Sequence, residues 1–230
     1  MHIFRNLTLI GTSHVAIQSV AEAKNTILSV HPKAVALELD RARFLSLMKP
    51  KKKPGSILAV IRQIGLRGFI FSLIGAWIQK KIGKLVGSAP GTEMKVATLT
   101  AVKINAKVAL IDRDIRVTLR HLFKYVTWKE KFRFIADIFK GIILRKPQVE
   151  AFDLRKVPPE KIINQLLNKT KKRYPGVYKA LVQERNVYMA KNLYKLMQKY
   201  NGETIVALVG AGHEKDIINL IRSLEKKNGI

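Results

Sequence analysis

The chain has no cysteine among its 230 residues. That excludes disulfides, thiolate metal sites and cysteine nucleophiles, and leaves the redox compartment open. Any metal chemistry falls to His, Asp and Glu. Acids are scarce as well: 16 Asp+Glu stand against 43 Lys+Arg, a formal net charge of +27. Scarcity makes each acid easier to interpret. A long hydrophobic run is also missing. The longest, Gly68 to Ile78, falls well short of the roughly 18 to 20 residues a spanning helix needs, and Arg67, Gln63 and Arg62 interrupt any backward extension. Met1-His2-Ile3-Phe4-Arg5 enters the first strand with no separate apolar stretch and no small-residue cleavage site, so no secretory signal is read there.

What is present is a globular composition, 47% hydrophobic, enough for a sizeable core. The basic excess is spread over the whole chain and attracts anions, whether phosphate backbones or acidic lipid headgroups. No nucleic-acid motif accompanies it, so nucleic acid is the least favoured partner.

Two stretches organise the chain. Leu7-Thr8-Leu9-Ile10 runs into Gly11-Thr12-Ser13-His14, and Thr204 to Val209 runs into Gly210-Ala211-Gly212-His213. Between them, Ser19-Val20-Ala21-Glu22 reads as a capping box opening a helix that Pro32 stops. Ala34 to Leu39 is a second buried strand, ending at Asp40, and the βαβ spacing predicts a parallel pair with the first. A short helix follows over 41–47, then a basic, proline-marked loop. Residues 56–88 form a helical insertion whose apolar stretch, 56–86, predicts a homodimer interface, packing on the core or a membrane contact. Thr92 caps a helix to about Asn105; Lys107 to Ile111 is a third strand, and Asp114 caps the helix after it. A second helical segment spans about 115–200, with Pro175 starting a long helix, and Glu214–Lys227 closes the chain as an amphipathic helix. The expected fold is one α/β domain over 1–230, a central mostly parallel sheet flanked by helices.

All four strands end in polar or charged residues: Gly11…His14, Glu38-Leu39-Asp40, Asp112-Arg113-Asp114 and Gly210…His213. Open α/β sheets bind ligands beyond the carboxyl ends of their strands, so these residues point to one edge. Two imidazoles and a carboxylate can hold a divalent ion and leave positions open for water and substrate. Each motif also has a plainer reading. Gly-x-x-His can be a tight turn with a solvated histidine, Asp112-Arg113-Asp114 a local ion pair with an N-cap, and Glu93 a carboxylate favouring a helix dipole. His2, His31 and His121 read as structural.

The same residues, in this order, resemble the TraB/PrgY/GumN family, whose relatives include the Tiki metalloproteases. The resemblance rests on Gly11-Thr12-Ser13-His14, Glu38-Leu39-Asp40-Arg41-Ala42-Arg43, Pro90-Gly91-Thr92-Glu93, Asp112-Arg113-Asp114-Ile115, Glu184-Arg185-Asn186 and Gly210-Ala211-Gly212-His213. It implies a fold related to erythromycin-esterase-like and ChaN-like proteins. It further implies metal-dependent peptide hydrolysis by analogy with the Tiki branch, or reduction of peptide pheromone activity without turnover by analogy with the pheromone-shutdown branch. On that footing His14, His213 and Glu38 are the expected ligands of a divalent ion of the Mn, Co or Zn type. Glu38, Glu93, Arg113 and Arg185 are the expected catalytic groups; Arg43, Asp112 and Asn186 are expected to bind a peptide or small-molecule substrate. The expected location is the cytoplasm, with an anionic membrane surface as a further partner.

Overall fold

The computed structural model describes residues 1–13, 17–49, 62, 91–144 and 159–227. His14 and the 56–88 insertion, with the dimer interface assigned to it, lie outside the described residues. Five strands form one sheet: β1 (His2–Phe4), β2 (Leu7–Thr12), β3 (Ala34–Leu37), β4 (Lys107–Leu110) and β5 (Ile205–Gly210), in the order β1-β2-β5-β3-β4. Only β1 is antiparallel to its neighbour. Every residue of β2, β3 and β5 is buried, as expected for strands covered on both faces.

Strand periodicity sorts the core into two halves. Leu7, Leu9, Ala34, Ala36, Ile205, Ala207 and Val209 face one way. They pack against Met189, Leu193 and Met197 of helix α8 (Glu184–Lys199) and Ile217 and Ile221 of α9 (Glu214–Lys227). Ile10, Val35, Leu37, Val206 and Leu208 face the other way, onto Ala23 and Ile27 of α1 (Ile17–Val30) and Met94, Ala97 and Ala101 of α3 (Thr92–Lys103). The result is a three-layer α/β/α domain. Burying each of the larger aliphatic side chains is worth about 1.5–3 kcal/mol, which makes this sandwich the main source of stability.

The remaining described helices are α2 (Arg41–Met48), α4 (Ile115–Tyr125), α5 (Trp128–Leu144), α6 (Glu160–Arg173) and α7 (Pro175–Tyr178). The long helix predicted from Pro175 forms, but its middle turn, Lys179–Gln183, is π-helical and leads directly into α8. Such bulges often accompany functional sites, because one extra residue per turn re-aims the side chains that follow. Among the described residues no helix is long and apolar enough to cross a membrane.

Three local expectations need correction. β2 and β3 are parallel but not neighbours, because β5 inserts between them, pairing Gly11 with Val209 on one side and Leu37 with Leu208 on the other. α1 starts at Ile17, so Ser19 lies inside the helix; its buried hydroxyl accepts from the Ser13 N–H at 3.0 Å instead of capping. Gly91, at φ +83°, is the N-cap of α3, and Thr92 is its first helical residue. A Cβ at Gly91 would also come within 3.3 Å of Leu47.

Candidate functional site

The insertion of β5 puts Gly11-Thr12 of the first motif beside Gly210-Ala211 of the second. Thr12 pairs with Gly210 at the end of the ladder, and the Ala211 N–H carries the pairing one step further by donating to the Thr12 carbonyl at 2.9 Å. Gly11 has a second reason to be glycine: an added Cβ would collide with the Glu214 carboxylate, directly after the second motif. The first motif's histidine follows Ser13 and is outside the described residues.

Glu38 continues the alternation of Ala34 and Ala36 and so projects toward α8 and α9. Its backbone N–H still donates to the Leu208 carbonyl at 3.1 Å, which locks the direction of the side chain. Oε2 accepts the Gly210 N–H at 2.5 Å, and Oε1 accepts from the Arg185 guanidinium. Glu38 is 3% exposed. His213 caps the edge: its Nε2 lies 3.6 Å from Glu38 Oε1 and 3.4 Å from Arg185 Nη1.

The protonation pattern of His213 can be read from its neighbours. Asn186 Nδ2 donates to Asp216 Oδ2 at 3.0 Å, and a carboxylate only accepts, so the amide orientation is set. Asn186 Oδ1 then faces His213 Nδ1 at 2.5 Å, and that nitrogen must carry the proton. In the neutral imidazole this leaves Nε2 with a lone pair directed at the Glu38–Arg185 side.

Arg185 ties the strand ends together. Its guanidinium binds Glu38 and Asp112, with Nη2 to Asp112 Oδ2 at 2.6 Å and Nε to the same oxygen at 3.2 Å; Nη1 donates to the Leu181 carbonyl in the π turn at 3.3 Å. Burial alone would lower the arginine pKa, but Glu38 and Asp112 outweigh it and raise it further. Asp112 also accepts from Arg43 Nη2 at 2.5 Å. Arg43 Nε reaches Asp40 Oδ2 at 2.5 Å, while Asp40 Oδ1 caps α2 through the Ala42 and Arg43 N–H groups. The cluster sets three carboxylates, Glu38, Asp40 and Asp112, against two guanidiniums, Arg43 and Arg185, with the His213 imidazole at its border.

The neighbouring residues form a separate cluster. Arg113 points away from His213, with Nε on Thr118 Oγ1 at 3.1 Å, Nη1 on Glu184 Oε2 at 3.0 Å and Nη2 on the Ala180 carbonyl at 2.9 Å. Glu184 also binds the His121 ring and accepts from the Tyr125 hydroxyl at 2.7 Å. Burial pushes the Glu184 carboxyl up, but His121, Tyr125 and Arg113 together hold it down at about 2.

Of the residues expected from the sequence, Glu38, Arg43, Asp112, Arg185, Asn186 and His213 therefore meet at one edge. Arg113 belongs to the second cluster. Glu93 is buried in the first turn of α3, in the layer on the opposite face of the sheet from α8. Among the described residues no group of three or more His, Asp or Glu side chains forms a metal-holding set. Three contributors were not anticipated: Asp216, which orients Asn186, and His121 and Tyr125, which hold Glu184. Asp216 lies three residues after His213, one helical turn on, and that spacing was the available signal. On either side of Asp216 a cleft of about 350 Å³ opens, one along Ala211, Gly212 and Glu160, the other along Tyr178, Asn186 and Ser223.

The chain is 38% identical to an uncharacterized protein of Methanocaldococcus jannaschii, over 98% of this chain and 55% of that protein. It is 22% identical to the TraB domain-containing proteins of Homo sapiens and Mus musculus, over 89% of this chain and 60% of theirs. The chain thus spans just over half the length of these curated relatives. The TraB/PrgY/gumN family profile matches residues 4–229, nearly the whole chain, and the protein belongs to that family.

Proposed function

We propose that this protein is a metal-dependent hydrolase acting on peptides, with its site at the carboxyl ends of β2, β3, β4 and β5. The observation that carries the reading is the pair His213 Nε2 and Glu38 Oε1, 3.6 Å apart, with Nδ1 of the histidine held by Asn186. An oriented imidazole beside a buried carboxylate is how proteins prepare metal ligands, and the outer partner fixes the tautomer. With three carboxylates against two guanidiniums, the cluster would suit a cation that His213 ligates as the neutral imidazole. His213 and Glu38 would hold the ion, joined by His14 of the first Gly-x-x-His motif, and a divalent ion there would acidify its water and polarise a carbonyl. Arg185, already at the same atoms, would meet the substrate carboxylate or the developing oxyanion. Asp112 and Arg43 would position that guanidinium, and Asp40 would position Arg43. The clefts flanking Asp216 are of a size that suits small-molecule and peptide side-chain sites.

Titration of metal-stripped protein with Mn²⁺, Co²⁺ or Zn²⁺, read by calorimetry and by thermal shift, tests the ligands independently of activity. The expected result is one site per chain, lost in His213→Ala and Glu38→Gln, with metal-dependent cleavage in a peptide screen. Equal binding by the variants would remove the assignment.

A second reading is supported by one observation, the Arg185 guanidinium seated on both Glu38 and Asp112. A cation in that position satisfies the carboxylates and serves a peptide-binding protein without turnover. Retained peptide affinity with no cleavage in any of the three metals would select it.

A further inference from the structure

Helix α5 packs with its polar side inward. Glu130 and Asp137, seven residues apart and so on one face, are its anchors. Glu130 is 3% exposed and accepts the Gly176 N–H at 2.7 Å and the Thr127 N–H at 2.8 Å, while Asp137 binds Arg173 and accepts from the Tyr174 hydroxyl at 2.5 Å. The opposite face carries Trp128, Phe132 and Ile135, spaced i, i+4, i+7 and 69%, 67% and 50% exposed. A helix normally turns such a stripe to the core. Here it is turned to the outside.

The charges around the stripe narrow its occupant. Lys129 is exposed beside the stripe on α5, Arg120 and Lys124 are exposed on the preceding α4, and Arg133, nearer the acid side, donates to the Arg173 carbonyl at 2.6 Å. The Lys131 ammonium lies 4.1 Å from the Trp128 ring centroid. The acids of the two helices, Glu130 and Asp137, are turned away from the stripe, Glu130 onto the Gly176 and Thr127 N–H groups and Asp137 onto Arg173. A second copy of this face would oppose like charge to like charge. An anionic lipid surface would match the bases with headgroups and take Trp, Phe and Ile into the boundary below them, where aromatic residues are favoured. Phe134 lies on the Glu130 side instead, against the Tyr174 ring, and lines a separate apolar cavity of about 300 Å³ with Leu122, Val126 and Val177.

We propose that the Trp128–Phe132–Ile135 face of α5 docks on an anionic bilayer. The proposal does not depend on the hydrolase reading. Because a protein of net charge +27 will be drawn to any anionic vesicle, the test must change apolar surface at constant charge. Trp128→Ser/Phe132→Ser/Ile135→Ser does this, and Leu99→Ser/Val102→Ser removes comparably exposed apolar side chains from α3 as a control. Co-sedimentation with phosphatidylcholine vesicles containing phosphatidylglycerol should show the triple variant weakened at least about tenfold and the control variant binding like wild type. In a Trp77→Phe background, Trp128 emission should shift to the blue on those vesicles and not on phosphatidylcholine alone. Circular dichroism melts check that the triple variant remains folded. Binding of the triple variant equal to wild type would overturn the proposal, as would equal loss in the control. A wild-type dimer in vesicle-free solution that the triple variant dissociates would assign the face to self-association instead. Binding of RNA homopolymer that the triple variant loses, with vesicle binding unchanged, would assign it to nucleic acid.

Discussion

Asp112-Arg113 and Glu184-Arg185 pair crosswise: Asp112 with Arg185, and Arg113 with Glu184. The two pairs are one residue apart on both segments yet have different surroundings. The Arg113–Glu184 cluster is closed, since Thr118, Ala180, His121 and Tyr125 occupy the remaining donors and acceptors. It fixes the π turn against α4. The Arg185–Asp112 cluster is left with more carboxylates than guanidiniums and borders the histidine at the strand ends. The balanced cluster joins α4 to the π turn, and the unbalanced one is where the proposed ion would bind. The two chain segments therefore brace and equip the site with the same four residues.

The largest effect should come from breaking the unbalanced cluster. Arg185→Met leaves Glu38 and Asp112 buried without their shared cation and should cost about 3–5 kcal/mol in denaturant unfolding. Adding Glu38→Gln should return part of that loss, because one buried charge goes with it. If the double variant is no more stable than the single, the pairing is not what holds the edge.

The closed cluster should respond through pH. The folded Glu184 pKa, about 2, lies below the ordinary value of 4.5. Its contribution to stability is therefore complete above about 4.5 and lost as pH falls toward 2. Glu184→Gln should be less stable than wild type at neutral pH, and the gap should close over that acid range. A gap that stays constant down to pH 2 would show that the carboxylate charge is not the source.

The smallest effect concerns the link from Arg43 to α2. Asp40→Ala removes an N-cap that accepts the Ala42 and Arg43 N–H groups, and should cost about 1 kcal/mol. Arg43 should keep its bond to Asp112, so Asp40→Ala and Arg43→Ala should not be additive if the two act as one unit.

Much of the site was legible because strands announce themselves locally. Apolar runs such as 34–37 and 205–210 leave few alternatives to buried strands, and the polar residues at their ends follow directly. The crossing pattern of 112–113 with 184–185 was not legible. Both arginines read equally well as substrate ligands, and only the direction from which Glu184 and Arg185 at the start of α8 meet the β4 end separates Arg185 from Arg113. The π turn decides that direction, and nothing in Lys179-Ala180-Leu181-Val182-Gln183 announces it. His121 read as structural and in fact holds Glu184; its helical spacing placed it on α4 but gave no indication of the partner 63 residues away.

By itself the sequence determined the class of the fold, the buried strands and the polar character of their carboxyl ends, because periodicity and burial are local properties of the chain. The tertiary structure decided the order of the strands. Placing β5 between β2 and β3 depends on pairings nearly two hundred residues apart, whose energies resemble those of any other buried parallel pair. That placement sets Gly11-Thr12 beside Gly210-Ala211 and brings His213 to Glu38. It also decided which face of α5 turns outward, because Glu130 and Asp137 find buried donors on the segment around Gly176 that no helical pattern within α5 contains.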